Sequence, residues 1–302
     1  MKVAVLGVGL IGGSIGLAAS RRAGAHVVGY DPDASVLSRA VELGAIDELA
    51  LEIAEAVGDA DVVFVAAPVG ASTSTALLAL DAAGGECVVS DVGSTKREIV
   101  RAISDPRFVG GHPLAGAETA GVENARDDLF DGATWYLTPA AAASPAAAAT
   151  PPSAADDPSP AVARLRELIG RFGARAVAID PDAHDRLMAS VSHLPHVLAN
   201  VLVAQAAGAV EDDARAATSG MLGAGPSFRD ATRVAGANTA IWVDIYLSNR
   251  DALVEAIDEA IGRLGEVRMA LADGDSGALA AWNERARAER EQLRRAGLAP
   301  GS

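Results

Sequence analysis

The chain has 302 residues, half of them hydrophobic, and a net charge of −15. That length predicts two domains, and the acidic balance excludes nucleic acid and anionic membrane surfaces as partners, so an anionic substrate must be gathered by local arginines. The single cysteine, Cys87, excludes an internal disulfide and a cysteine-based zinc site, suits a reducing cytoplasm, and reads as filler of a buried strand.

Val3 to Ser20 carries no charge, and length alone would allow a signal peptide or a membrane span. Gly7, Gly9, Gly12, Gly13 and Gly16 interrupt it, and a strand (Lys2 to Leu6), a turn and a helix (Leu10 to Arg22) explain it better. Further strands are predicted at His26 to Tyr30, Asp61 to Ala67, Glu86 to Ser90 and Arg107 to Gly110, with helices over Asp33 to Leu43 and Thr95 to Ile103. Ala133 to Thr138 and Ala174 to Ile179 read as late strands of the same domain, separated by a helix over Val162 to Phe172. Strands alternating with helices predict an α/β fold, a Rossmann-type doubly wound parallel sheet with right-handed crossovers.

Residues 139–160 contain six prolines and ten alanines in 22 residues, a composition that packs no core. They are expected to form a long loop within the first domain. Beyond Pro181 the strand signals fade, and Asp182 to Val210, Ile241 to Leu271 and Ala278 to Arg295 have helical periodicity. The expected division is a dinucleotide-binding domain over 1–180 and an all-α substrate and dimerisation domain over 181–302. Surplus apolar surface on the second would be buried in a homodimer.

Gly7-Val8-Gly9-Leu10-Ile11-Gly12 follows a strand, opens a helix and precedes Asp31 at the end of the second strand, which is the full dinucleotide fingerprint. Gly7 permits the tight turn, Gly9 the approach of a pyrophosphate, and Gly12 close helix–strand packing. The first-turn amides of Leu10 and Ile11 would face the phosphates. Asp31 would accept from the adenosine ribose and repel a 2′-phosphate, favouring NAD over NADP. Ala67 and Pro68, after the fourth strand, would line the cofactor channel.

Gly110 to Glu118 places His112 and Glu118 on what reads as a Gly/Pro-rich turn. A histidine there can exchange a proton near neutrality and is positioned like a base. Asp91 to Lys96 follows a strand and opens a helix, so Ser94 faces the same crevice or serves as an N-cap. His193 and His196 lie three apart on one helical face, beside Pro195, which should kink that helix. They lack the H-E-x-x-H spacing and a nearby carboxylate of a metal site. Arg233, in Phe228 to Arg233, offers a bidentate grip on a carboxylate, and Trp242 reads as a packing aromatic.

Taken together these segments resemble the prephenate/arogenate dehydrogenases of tyrosine biosynthesis. The likeness runs through Gly7 to Ser14, Asp91 to Lys96, Gly110 to Glu118, Asp185, Ser192 to His196, Phe228 to Arg233 and Trp242 to Asn249. It implies NAD-dependent oxidative decarboxylation of prephenate, or alternatively of arogenate. His112 would take the proton of the ring hydroxyl, with Ser94 orienting both. Arg233 would hold a substrate carboxylate, while His196, His193 and Trp242 would shape the same pocket. Glu118 would act as a polar gate, and Asp230 would approach from the partner subunit. The sequence departs from the pattern at Ala117, where the family often carries a hydroxyl. The chain is expected to be monofunctional, with neither a chorismate mutase nor an ACT domain. A β-hydroxyacid or imine reductase shares this architecture but leaves the His112 segment unexplained. A non-enzymatic NAD-binding sensor would not need Ser94, His112 and Arg233 together.

Overall fold

The computed structural model describes residues 1–116, 119–139, 159–212 and 224–295. Its strands are β1 (Lys2–Leu6), β2 (His26–Tyr30), β3 (Glu48–Ala50), β4 (Val62–Val65), β5 (Val88–Asp91), β6 (Phe108–Pro113), β7 (Thr134–Pro139) and β8 (Arg175–Ala178). They form one sheet in the order β3-β2-β1-β4-β5-β6-β7-β8. The order reverses between β1 and β4, the switch point at which open α/β sheets bind ligands. Every pairing is parallel except β6 with β7.

Helices α1 (Leu10–Ala23), α2 (Ala34–Glu42), α3 (Ile53–Val57), α4 (Val69–Ala82), α5 (Arg97–Ala102) and α6 (Pro160–Arg171) cover the sheet. Both faces are buried, which explains the unbroken apolar strands. Along β1, Val3 and Val5 enter one core with Ile15, Phe64, Trp135 and Phe172, while Ala4 and Leu6 enter the other with Val63, Leu80 and Phe108. Cys87 is buried one residue ahead of β5, where burial pushes its thiol pKa up to about 11.

After β8 every described element is helical: α7 (Pro181–Met188), a π-helical turn (Ala189–His193), α8 (Leu194–Asp212), α9 (Pro226–Thr232), a 3₁₀ turn (Arg233–Gly236), α10 (Thr239–Ser248), α11 (Arg250–Ala272) and α12 (Ser276–Arg295). The wide π turn directly precedes Leu194 and Pro195. It is the local break expected where a proline cannot donate to the preceding turn. The predicted helix Ile241 to Leu271 is two helices, divided at Asn249. Most of the low-complexity stretch, 140–158, lies outside the described residues. The chain separates into two compact units, Met1–Arg250 and Asp251–Ser302. In the second, Ile261, Leu264, Met269 and Leu271 of α11 are exposed.

The continuous run Pro181–Gly208 is long and apolar enough to cross a membrane, with mean hydropathy 1.5, and only 28% of its most apolar window is buried. Its His184, Asp185, His193 and His196 are buried in contacts within the protein, which a lipid-facing span would not provide.

Candidate active site

The glycine loop and the segment after β4 meet at the switch point. Gly7 has φ +96°, and a Cβ there would lie 2.5 Å from the carbonyl oxygen of Ala66. Gly12 packs so closely that a Cβ would sit 1.9 Å from the oxygen of Gly7, whereas a Cβ on Gly9 would meet nothing within 4 Å. The space above Gly9 is therefore open, as a dinucleotide requires. Leu10 and Ile11, half-buried, form the first turn of α1, and Ala67 and Pro68 lead into α4. Asp31 accepts from the backbone N–H of Val8 at 2.9 Å and of Asp33 at 3.0 Å. Its carboxylate thus holds the glycine loop through Val8.

His112 lies within β6, opposite Tyr136 of β7, and not on a turn. The glycines before it serve close packing. A Cβ on Gly110 would lie 2.2 Å from the Thr138 hydroxyl, and one on Gly111 would lie 2.5 Å from the Asp91 carbonyl. Ser94 is likewise no N-cap, because α5 begins at Arg97. The carboxylate of Asp185 caps that helix from α7, accepting from the backbone N–H of Lys96 at 2.8 Å and of Arg97 at 2.9 Å. The Ser94 hydroxyl is half-buried in the β5–α5 loop.

Beneath the loop lies an ion pair between Lys96 and Asp91, both essentially without exposure. Asp91 also accepts from the N–H of Gly93 at 2.8 Å and of Gly111 at 3.1 Å. One carboxylate therefore ties the end of β5 to the residue before His112. Because an unpaired buried charge costs several kcal/mol, both partners are needed to hold this latch.

From His112 a polar chain runs inward. Its Nδ1 lies 2.9 Å from Nε2 of His184, whose Nδ1 lies 2.8 Å from an Asp185 carboxylate oxygen. Asn249 donates to the Asp185 carbonyl at 2.7 Å and lies 3.1 Å from Nδ1 of His193. Burial, aided by His184 and Lys96, lowers the His112 pKa well below the ordinary value. Burial lowers His184 as well, against the opposing hydrogen bond to Asp185, and pushes His193 down to about 4. It works against the charge on Asp185, but hydrogen bonds from His184, Arg97 and Lys96 outweigh it and keep that carboxyl below its ordinary value.

His196 stacks on Trp242, with ring centres 3.6 Å apart and planes at 4°, and hydrogen-bonds Tyr246 through Nδ1. His193 meets the same indole edge-on at 6.1 Å. Trp242, Tyr246 and Asn249 follow an i, i+4, i+7 stripe facing the two histidines, a spacing readable in the sequence. His112, His193, His196 and Trp242 thus share one contiguous network. Arg233 and Asp230 are exposed on segments that pack against α8, and Glu118 lies outside the described residues. His184, Lys96, Tyr246 and Asn249 carry no role readable from the sequence. The adjacent His184-Asp185 pair was the available signal. Among the described residues no group of three or more His, Cys, Asp or Glu side chains is placed to hold a metal ion.

Residues 15–150 match the family profile "Prephenate dehydrogenase, nucleotide-binding domain", and residues 180–284 match "Prephenate dehydrogenase, dimerization domain". A prephenate dehydrogenase of Bacillus subtilis is 34% identical over 89% of this chain and 70% of its own length. The crystal structure of prephenate dehydrogenase from A. aeolicus in complex with hydroxyphenyl propionate and NAD+ aligns with TM-score 0.82 and 26% identity, over 97% of this chain and 98% of that one. Synechocystis arogenate dehydrogenase aligns with TM-score 0.78 and 26% identity, over 97% of this chain and all of that one. Matched by both domain profiles and similar to these proteins along nearly its whole length, the chain belongs to the prephenate dehydrogenase family.

Proposed function

We propose that the protein oxidises and decarboxylates prephenate to 4-hydroxyphenylpyruvate with NAD, a step of tyrosine biosynthesis. The observation that carries the reading is His112, half-buried near the C-terminal end of β6 and backed by His184 and Asp185. NAD fits the open space above Gly9, the first-turn amides of Leu10 and Ile11, and the Asp31 carboxylate. Bound nicotinamide supplies a hydride acceptor. His112 takes the proton of the ring hydroxyl as that carbon is oxidised to a carbonyl. When the C–CO2 bond breaks, its electron pair aromatises the ring and leaves a phenolate, to which His112 returns the proton. Loss of CO2 makes the sequence effectively irreversible.

Ser94 orients the hydroxyl and His112, and Arg233 holds a substrate carboxylate. His196, His193 and Trp242 form the pocket wall, Glu118 gates it, and Asp230 enters from a second subunit. Residues 1–180 bind the dinucleotide and 181–302 bind substrate and a second copy. Support for a homodimer comes from the dimerization-domain match and from exposed Leu198, Val201 and Leu202 on α8 and Ile241 and Leu247 on α10, an apolar surface of the kind that marks an interface. We place the enzyme in the cytoplasm, in keeping with a sole cysteine that is buried and free.

The test is steady-state NADH formation with prephenate and arogenate offered separately, beside His112→Asn. Turnover should fall at least about a hundredfold in the variant, and the ratio of the two substrates assigns the preference. Measurable NAD binding with no turnover of either substrate would overturn the reading.

A further inference from the structure

A neutral imidazole carries its proton on one ring nitrogen, and only the bare nitrogen can accept another. Which nitrogen of His112 is bare follows from its neighbours. The Asp185 carboxylate accepts two backbone N–H groups, at 2.8 and 2.9 Å, and lies 2.8 Å from Nδ1 of His184. An ionised carboxylate only accepts, so His184 donates from Nδ1. In a neutral ring its Nε2 is then an acceptor, and that atom lies 2.9 Å from Nδ1 of His112. His112 must donate from Nδ1, which leaves Nε2 bare.

We infer that His184, anchored by Asp185, is a positioning residue that fixes His112 in the Nδ1–H tautomer. The catalytic consequence rests on the function proposed above, whereas the tautomer is a property of the resting protein. His184 is rigidly held: it has no exposure, Tyr136 packs its ring edge against it at 5.6 Å, and Asn249 clamps the Asp185 carbonyl. The charged groups around the pair are Lys96, Asp91 and Asp185, with His193 behind. Burial and Lys96 keep both rings neutral, as the tautomer argument requires. When Nε2 of His112 takes the hydroxyl proton, the new cation keeps its Nδ1–H on His184, with the Asp185 carboxylate one residue behind. Tautomer control by a buried acid is worth several orders of magnitude in rate in serine proteases, so the effect need not be small.

Nitrogen-15 NMR of the imidazoles of the resting wild-type protein should show His112 protonated at Nδ1, and His184→Ala should shift that ring toward Nε2–H. In the same His184→Ala variant, kcat should fall about a hundredfold with KM changed less than about threefold. His184→Gln, whose amide oxygen still accepts, should retain at least about tenfold more kcat than His184→Ala. Wild-type His112 protonated at Nε2 would overturn the inference, as would an unchanged kcat in His184→Ala. Finding the Nδ1–H tautomer without turnover of either substrate would instead overturn the proposed reaction and leave the tautomer standing.

Discussion

His193 is buried, and burial pushes its pKa down to about 4 from an ordinary 6.5. The unfolded chain therefore binds a proton between those values that the folded protein refuses. Stability from this group is complete above pH 6.5 and is lost as pH falls toward 4, by up to about 2 kcal/mol at pH 5. Urea midpoints at pH 7, 6 and 5 should fall less steeply for His193→Gln than for wild type; parallel curves would assign the acid sensitivity elsewhere. His112, lowered in the same direction, stays neutral through the physiological range, so kcat/KM should hold level from pH 7 down to 6 before any acid limb. For Asp31 the proposed cofactor role was legible in the sequence, and its structural role was not. The fingerprint spacing pointed to a carboxylate for the ribose, but only the fold shows it holding the Val8 N–H. Asp31→Ala should raise the KM for NAD about tenfold or more, a loss of about 1.4 kcal/mol, which a titration of initial rates against NAD would measure.

Strand β6 illustrates how a composition signal can be read correctly and interpreted wrongly. Glycine and proline around His112 suggested a turn, since those residues commonly punctuate chains. The glycines are instead required because the Asp91 carbonyl and the Thr138 hydroxyl occupy the space of a Cβ, and the strand continues to Pro113 through its pairing with β7. Gly111→Ala should cost on the order of 1–3 kcal/mol from overpacking and displace His112, so Tm and kcat should fall together in thermal unfolding and rate measurements. An unchanged Tm would mean that the strand accommodates the methyl. Helix α5 makes a related point. Its first N–H groups are capped by Asp185, 88 positions beyond Arg97, a partner that no local capping rule identifies.

At the scale of the whole molecule, large apolar side chains among the described residues stand exposed on α4, α8, α10 and α11, among them Leu78, Val201, Leu247 and Ile261. Leu198 and Leu202 lie one turn apart on α8, and both are exposed. Leu198→Glu with Leu202→Glu should convert a dimer to a monomer in sedimentation equilibrium, since two charges desolvated at an interface core cost several kcal/mol. A monomeric wild-type protein would remove the basis for an Asp230 contribution across subunits.

Strand–helix alternation, the glycine fingerprint with Asp31, and the ordered motifs through Asn249 were determined by sequence alone, because each reflects a local periodicity or a fixed spacing along the chain. The antiparallel seat of His112, the Asp91–Lys96 latch and the His112–His184–Asp185 chain were decided only by tertiary structure. Their long-range links run from Asp91 to Gly111 across 20 positions and from His112 to His184 across 72, and their energetics depend on burial, which creates both the need for partners and the geometry that supplies them.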